Sequence, residues 1–400
     1  MKQFAFTSYL LYFLGGLVIT VVGSVLPQIL THYKLSYTMG GQLVLLGSIG
    51  FLLGVPISSF LLTRLSEKNL LAIATAMIAV AQLGILFLPP FKWIIFFNFL
   101  NGVGVASLEM VVATLMMELF SGRRAVVMSY LEVSFGTGAL LMPLVSSLFI
   151  KLDNWRYSFL FTGILAIIMI LACKILAFNK NNIAKENHKP LDANSSASPV
   201  LVQHKKWVLL VLFSSMIFMY AGIESSLNNF LPSIFITYID TIPSYASLSI
   251  GVFWVTMLIG RLATGWIIRK ITYERYLLFS IVGTLISLVF FIIFNSIMTA
   301  YSLLLLLGLT MSGIYSITMV YANHTIEGEN RLVTSFITGF SGLGGAIFPL
   351  TVGFTMDKAG TNLALWLITS FGVIYLASLL TIFIIKRKAL INYNLNSQCK

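Results

Sequence analysis

Charge is scarce in this 400-residue chain: Asp, Glu, Lys and Arg make up 10% of it, where a soluble domain carries about a quarter. With 58% apolar residues, that deficit excludes a water-soluble globule and leaves an integral membrane protein. Cysteine is scarcer still. Cys173 and Cys399 alone exclude a disulfide framework and a cysteine-ligated metal centre. Alternating stretches of about 10 residues, the pattern of membrane-spanning strands, are missing, which excludes a β-barrel. A soluble domain, phosphate loops, nucleophile elbows and metal-ligand sets are missing as well, so a non-transporting membrane receptor or enzyme has no support and no cofactor or metal is expected. The first apolar run has only Lys2 before it and no small-residue cleavage pattern after it, so it is expected to be retained as a helix.

What the chain has is apolar runs, each long enough at about 1.5 Å per residue to cross a hydrocarbon core of about 30 Å. Twelve are read: Tyr9–Leu30, Gly41–Leu62, Leu70–Leu88, Trp93–Leu119, Ala125–Phe149, Ser158–Phe178, Trp207–Phe230, Tyr245–Ile268, Tyr276–Phe294, Ala300–Tyr321, Arg331–Phe354 and Asn362–Ile385. Between the sixth and seventh, residues 179–206 are polar and rich in Asn, Ser and Lys, as in a flexible linker. The pattern predicts an all-α membrane protein with a six-helix bundle over 1–178, a linker over 179–206, a second bundle over 207–388 and a tail over 389–400.

The formal net charge of +12 follows from topology. With the N-terminus inside, nineteen of the 25 Lys and Arg residues fall on the cytoplasmic side, Lys34, Lys92, Lys151, Arg156 and Lys358 fall outside, and Arg261 lies within a span. This fits the positive-inside rule with both termini cytoplasmic in a cell membrane. The lipid bilayer is the partner this implies, nucleic acid is not one, and a monomer is expected.

The chain also repeats itself. "SVLPQILTHY" at Ser24–Tyr33 returns as "NFLPSIFITY" at Asn229–Tyr238, 205 positions on, and "ALLMPLV" at Ala139–Val145 returns as "GAIFPLT" at Gly345–Thr351, 206 positions on. In membrane proteins, parallel repeats related by an axis along the bilayer normal build two-bundle secondary transporters, with the substrate site between the halves.

Several segments carry a family resemblance. "GVPISSFLLTR" and "GRLATGWIIRK", at equivalent places in the two halves, resemble degenerate copies of the basic loop motif of the major facilitator superfamily. "SLEMVVATLMMELF", "MSYLEVSFGTGALLMPLV", "YAGIESSLNNFLPSIFI" and "FWVTMLIGRLATGWIIRK" resemble its fucose-permease branch, and within that branch the bacterial proton-coupled glucose/mannose permeases. The resemblance implies the twelve-helix major facilitator fold and proton-driven uptake of a monosaccharide, in a bacterial membrane.

Ionisable residues near the bilayer centre cost of order 3 kcal/mol on insertion scales, so each one needs a reason. Glu109, Glu132 and Glu224 are three such residues. Glu109 lies within the fourth span; Asn98, eleven residues earlier, falls within about 20° of its face, with Asn101 about 80° away. This stripe suits sugar hydroxyls and a coupled proton, or else a helix–helix hydrogen bond. Within the branch, the resemblance implies an acidic residue with a substrate or proton role at Glu109.

Glu132 is expected to form a gate with Arg123 or Arg124, or to pack statically. Glu224 shares a face with Asn228, beside Asn229 and before Pro232, which suits a polyhydroxylated ligand or a local helix bend. Ser24, Gln28 and Tyr315 are further candidate ligand contacts on spans that line the cavity in the superfamily. Trp254 is a candidate for stacking on a sugar ring, and Arg261, seven residues on, for a gate partner.

Two functions compete: proton-coupled sugar uptake by alternating access, with Glu109, Glu132 and Glu224 handling protons, and proton-driven export of drugs or metabolites. Exporters of the superfamily usually end a glycine-rich stretch of the fifth helix in Gly-Pro. Here "GTGALLMP" puts Met142 before Pro143.

Overall fold

The computed structural model describes residues 2–120, 124–175, 206–326 and 330–398. They form thirteen helices: α1 (Lys2–Ser24), α2 (Leu26–Tyr33), α3 (Tyr37–Leu61), α4 (Glu67–Leu86), α5 (Phe91–Leu119), α6 (Arg124–Lys151), α7 (Tyr157–Ile175), α8 (Lys206–Tyr238), α9 (Pro243–Ile267), α10 (Tyr273–Ile293), α11 (Ile297–Met311), α12 (Ile314–Thr325) and α13 (Asn330–Gln398). Strands are absent among the described residues.

Twelve spans and thirteen helices are reconciled by three local events. The first span is broken at Val25, just before Pro27, into α1 and α2. A proline has no N–H to donate to the turn before it, so the helix restarts there. The tenth span is interrupted at Ser312 and Gly313, between α11 and α12. Conversely, α13 holds the eleventh and twelfth spans, joined at Gly360, whose φ of +84° is open to glycine and strained for other residues. Within the described residues the twelve apolar runs are therefore helical, the first and the tenth in two pieces, while most of the linker lies outside the described residues.

Helices α1–α7 pack together as one bundle and α8–α13 as the other; the two meet along α3 with α13 and along α6 with α9. The sequence repeat reappears as repeated contacts. Tyr33 donates its hydroxyl to the Pro89 carbonyl at 2.6 Å, and Tyr238 to that of Ile292 at 2.6 Å. Ser66 accepts from the Asn69 N–H as the N-cap of α4, and Thr272, 206 positions on, does the same for α10 with Arg275. Gly102 abuts the Gly47 carbonyl so closely that a Cβ would lie 2.0 Å from it; Gly308 abuts the carbonyl of Phe253, again 206 positions on. Lipid tails are as apolar as leucine, so close helix contacts of this kind hold membrane bundles together. Phe87, Phe279 and Met298 point outward, as a lipid-facing surface requires.

The bundles are sealed against each other at the end bearing the α2–α3 connection. There Asp357 of α13 accepts from the N–H of Tyr37 at 2.8 Å and that of Thr38 at 2.7 Å. On the other seam Ser147 donates to the Ser244 carbonyl at 2.8 Å. Toward the opposite end the seams loosen: Gly265 of α9 and Gly339 of α13 face open space, and Tyr130 of α6 is exposed.

Candidate functional site

Between the bundles lies a cavity of 370 Å³, walled by α1, α3, α5, α6, α8, α9 and α13. Most of its wall is apolar: Val18, Val22, Val44, Phe51, Val105 and Phe135 all reach it. Into this surface project eight of the residues singled out from sequence: Asn98, Asn101, Glu132, Glu224, Asn228, Asn229, Trp254 and Arg261. An apolar cleft with a few convergent polar groups is the usual form of a small-molecule site.

Arg261 organises the charges. Its Nη1 is 3.4 Å from Glu132 Oε2 across the α6–α9 seam, and its Nη2 is 3.5 Å from Glu224 Oε1 on α8. One guanidinium thus bridges two carboxylates, one from each bundle, a geometry its planar fork of five donors allows. Its Cζ also lies 5.5 Å above the centroid of the Trp254 ring, within cation–π range. The expected partners of Glu132 were Arg123 and Arg124. Arg123 lies outside the described residues, as does the side chain of Arg124, and the partner found is Arg261, 129 positions away. The Tyr220 hydroxyl, one turn before Glu224, is buried with no hydrogen-bond partner among the described residues.

The amides are held from behind. Trp254 donates its indole N–H to Asn228 Oδ1 at 2.8 Å. Asn98 donates to the Leu43 carbonyl at 2.8 Å, and Asn229 to that of Ser225, one turn back, at 2.8 Å. Asn101 Oδ1 accepts from Gln82 at 3.1 Å, and Gln82 in turn accepts from Thr162 at 2.8 Å.

Four candidates stand off the cavity wall. Ser24 is fully buried, its hydroxyl returned to the Thr20 carbonyl of its own helix at 2.8 Å. Gln28 has a buried Oε1 with no hydrogen-bond partner among the described residues. Tyr315 lies behind Tyr220, ring centroids 6.5 Å apart. Glu109 faces α1, where a Cβ on Gly15 would stand 3.2 Å from its Oε1 and 3.7 Å from Phe135. That oxygen is buried and lacks a hydrogen-bond partner among the described residues, while the Tyr12 hydroxyl donates to the Glu109 backbone oxygen at 3.0 Å. Phe135 and Val105 border both this pocket and the cavity.

Sequence reasoning missed Gln82, Thr162, Tyr220 and Asp357. Gln82 carried a readable signal, an amide in the middle of the apolar run Leu70–Leu88. Asp357 carried none, since its partners lie about 320 positions away.

Comparison with known proteins adds the following. A family model described as "Major Facilitator Superfamily" matches residues 8–349. A relative named glucose/mannose transporter GlcP, from Bacillus subtilis, is 30% identical over 370 residues, covering 92% of this chain and 91% of the relative. Among solved structures, a bacterial homologue of the lysosomal transporter Spinster, inward-facing and unoccupied, superposes with a TM-score of 0.77 at 13% identity over 97% of both chains. A D-xylose–proton symporter does so at 0.73 and 14% identity, over 94% of this chain and 96% of that one. These two likenesses carry the fold.

Proposed function

This chain belongs to the Major Facilitator Superfamily, a family of membrane transporters and not of enzymes, and from that premise we propose that it takes up a monosaccharide, glucose or mannose, together with protons. The observation that carries the reading is the cavity itself: four amides and an Arg261-bridged pair of carboxylates converge on an apolar cleft between the bundles. Hydroxyl groups donate and accept at once, so neighbouring sugar hydroxyls match neighbouring amides and carboxylates. The apolar wall suits the C–H face of the ring. The name of the Bacillus subtilis relative points to the same class of substrate.

The charge distribution supports the sidedness: read along the sequence, nineteen of the 25 Lys and Arg residues fall at the termini and the connections on the terminal side, against five on the opposite side and Arg261 within a span, as cytoplasmic termini require. On that reading the seal at Asp357 faces outward and the cavity opens toward the cytoplasm of a bacterial cell.

Glu109 is the proton carrier in this scheme. An ionised carboxylate in its place buries a charge whose Oε1 has no hydrogen-bond partner among the described residues, at a cost of order 3 kcal/mol on insertion scales, whereas the protonated form buries no charge. Phe135 and Val105 border both the Glu109 pocket and the cavity, which links the proton site to the substrate site. Loading a proton on Glu109 and a sugar in the cavity then lets the bundles rock without enclosing unpaired charge.

The test is uptake of radiolabelled glucose and mannose into proteoliposomes under an imposed proton gradient. Wild-type protein is expected to concentrate one of them, and Glu109→Gln to exchange it across the membrane without concentrating it. A wild-type protein that moves neither sugar, with or without the gradient, ends the hexose reading. Normal accumulation by Glu109→Gln ends the proton assignment.

A further inference from the structure

An asparagine can face a ligand with its oxygen or with its nitrogen, and what touches the other end decides which. Asn98 and Asn229 each place Nδ2 at 2.8 Å from a backbone carbonyl, of Leu43 and Ser225 respectively. A carbonyl only accepts, so both residues keep their side-chain oxygen for the cavity. Asn228 is set the opposite way. The indole N–H of Trp254 only donates, and it lies 2.8 Å from Asn228 Oδ1, which leaves the NH2 group for the cavity. Asn101 is not fixed in this way: it pairs with Gln82 at 3.1 Å, and Gln82 with the Thr162 hydroxyl at 2.8 Å, which lies 3.2 and 3.1 Å from carbonyls of its own helix and so can donate to them and accept from Gln82, letting this chain run in either sense.

Trp254 is itself poorly placed to stack on a ligand. It is 5% exposed, the Arg261 guanidinium covers its ring, and Phe135 and Phe253 meet it edge-on. We propose that Trp254 is a positioning residue: it locks the Asn228 amide with its NH2 toward the ligand, opposite in sense to the oxygens of Asn98 and Asn229, so that the cavity distinguishes the accepting from the donating side of a bound hydroxyl. The proposal rests on the hexose reading of this cavity.

The test uses purified full-length protein with D-glucose and its analogues in which one hydroxyl at a time is replaced by hydrogen or by fluorine. Fluorine accepts weakly and donates nothing, so a hydroxyl read through Asn228 tolerates fluorine better than hydrogen. At one hydroxyl position the wild type is expected to bind the fluoro analogue about fivefold more tightly than the deoxy analogue, the worth of one modest hydrogen bond. Trp254→Phe keeps an aromatic ring under Arg261 and deletes the N–H. It is expected to bring that ratio to about one while glucose affinity falls several-fold. An unchanged ratio in Trp254→Phe overturns the proposal.

A second measurement needs no sugar. Melting temperatures of Trp254→Phe, Asn228→Leu and the double variant are expected to show coupling, with the double variant losing less than the sum of the singles. Additive losses overturn the proposal. If wild-type protein binds none of the sugars, the hexose reading fails, and the melting cycle by itself decides whether Trp254 holds Asn228.

Discussion

The two seams between the bundles are copies of one another in sequence and differ in chemistry. On the α3–α13 seam, Gly41 faces the Pro349 carbonyl and Gly353 the Tyr37 carbonyl, where a Cβ would stand 2.8 and 2.3 Å away. On the α6–α9 seam the positions 206 removed are serines: Ser247 donates to the Pro143 carbonyl at 3.3 Å, and Ser147 to that of Ser244 at 2.8 Å. One seam closes by omitting side chains, the other by hydroxyl bonds. Charge is also placed at different heights. Asp357 caps the start of α3 at the sealed end, whereas its counterpart is Lys151, a cation that accepts no hydrogen bond, and the counterpart of Tyr37 at the start of α9 is Pro243, which has no N–H. Arg261 and Glu132 join the other seam beside the cavity, and their counterparts are Val55 and Thr338. Duplication fixed where the backbones meet. The groups that govern when they part arose separately in each half, so the seal and the cavity gate can be broken one at a time.

The largest effect is expected from Gly353→Val. Its Cβ has nowhere to go while Tyr37 stays in place, and the obstacle is a backbone oxygen that no rotamer change removes. Transport in proteoliposomes is expected to fall more than tenfold with the protein still folded and monodisperse, because the sealed arrangement is lost. Ser147→Ala, on the other seam, removes one hydrogen bond worth about 1 kcal/mol and is expected to cost less than fivefold. Equal losses from the two substitutions would remove the distinction between the seams.

Next in size is Arg261→Met, which leaves Glu132 and Glu224 facing each other without a cation. Breaking a fully buried pair costs about 3–5 kcal/mol, but these side chains are 28%, 53% and 23% exposed, so solvent absorbs part of the penalty. Transport is expected to fall about tenfold and to be partly restored by Glu132→Gln in the same protein. If the second substitution deepens the loss, Arg261 serves the ligand directly and the bridge is incidental.

The architecture was legible because membrane spans are written in runs of apolar residues, and the repeat of Pro27 at Pro232 and Pro143 at Pro349 marked the two halves. The cavity was half legible. Glu132, Glu224 and Asn228 stand out because a polar residue in an apolar run is costly, and helical periodicity then places Asn228 beside Glu224. The same rule misleads for Ser24, since a serine can return its proton to its own helix at no cost to its neighbours. It cannot separate Glu109, which faces α1, from the residues that face the cavity, because both lie inside the protein. Pairings across the bundles, Glu132 with Arg261 and Asp357 with Tyr37, depend on a packing angle that one helix does not encode.

The smallest effect tests the seal itself. Asp357→Asn keeps one accepting oxygen, enough for the N–H of Tyr37 or of Thr38 but not both; the site is exposed, so water replaces the lost acceptor and the main loss is the charge at the α3 N-terminus. A charge in that position is worth about 0.3–1 kcal/mol, which corresponds to a roughly two- to fivefold shift between sealed and open populations. Spin labels at Lys34 and Lys358, both exposed at that end, report the distance distribution directly when Cys173 and Cys399 are replaced by serine. Asp357→Asn is expected to enlarge the long-distance population modestly, and 0.5 M salt to shrink the difference from wild type, because the site is exposed. Lys151→Ala, at the counterpart position, is expected to leave the distribution unchanged. Should Lys151→Ala open the seal as far as Asp357→Asn does, the charge asymmetry between the seams is wrong. Should only Asp357→Ala open it, the seal is held by the hydrogen bonds and the charge is incidental.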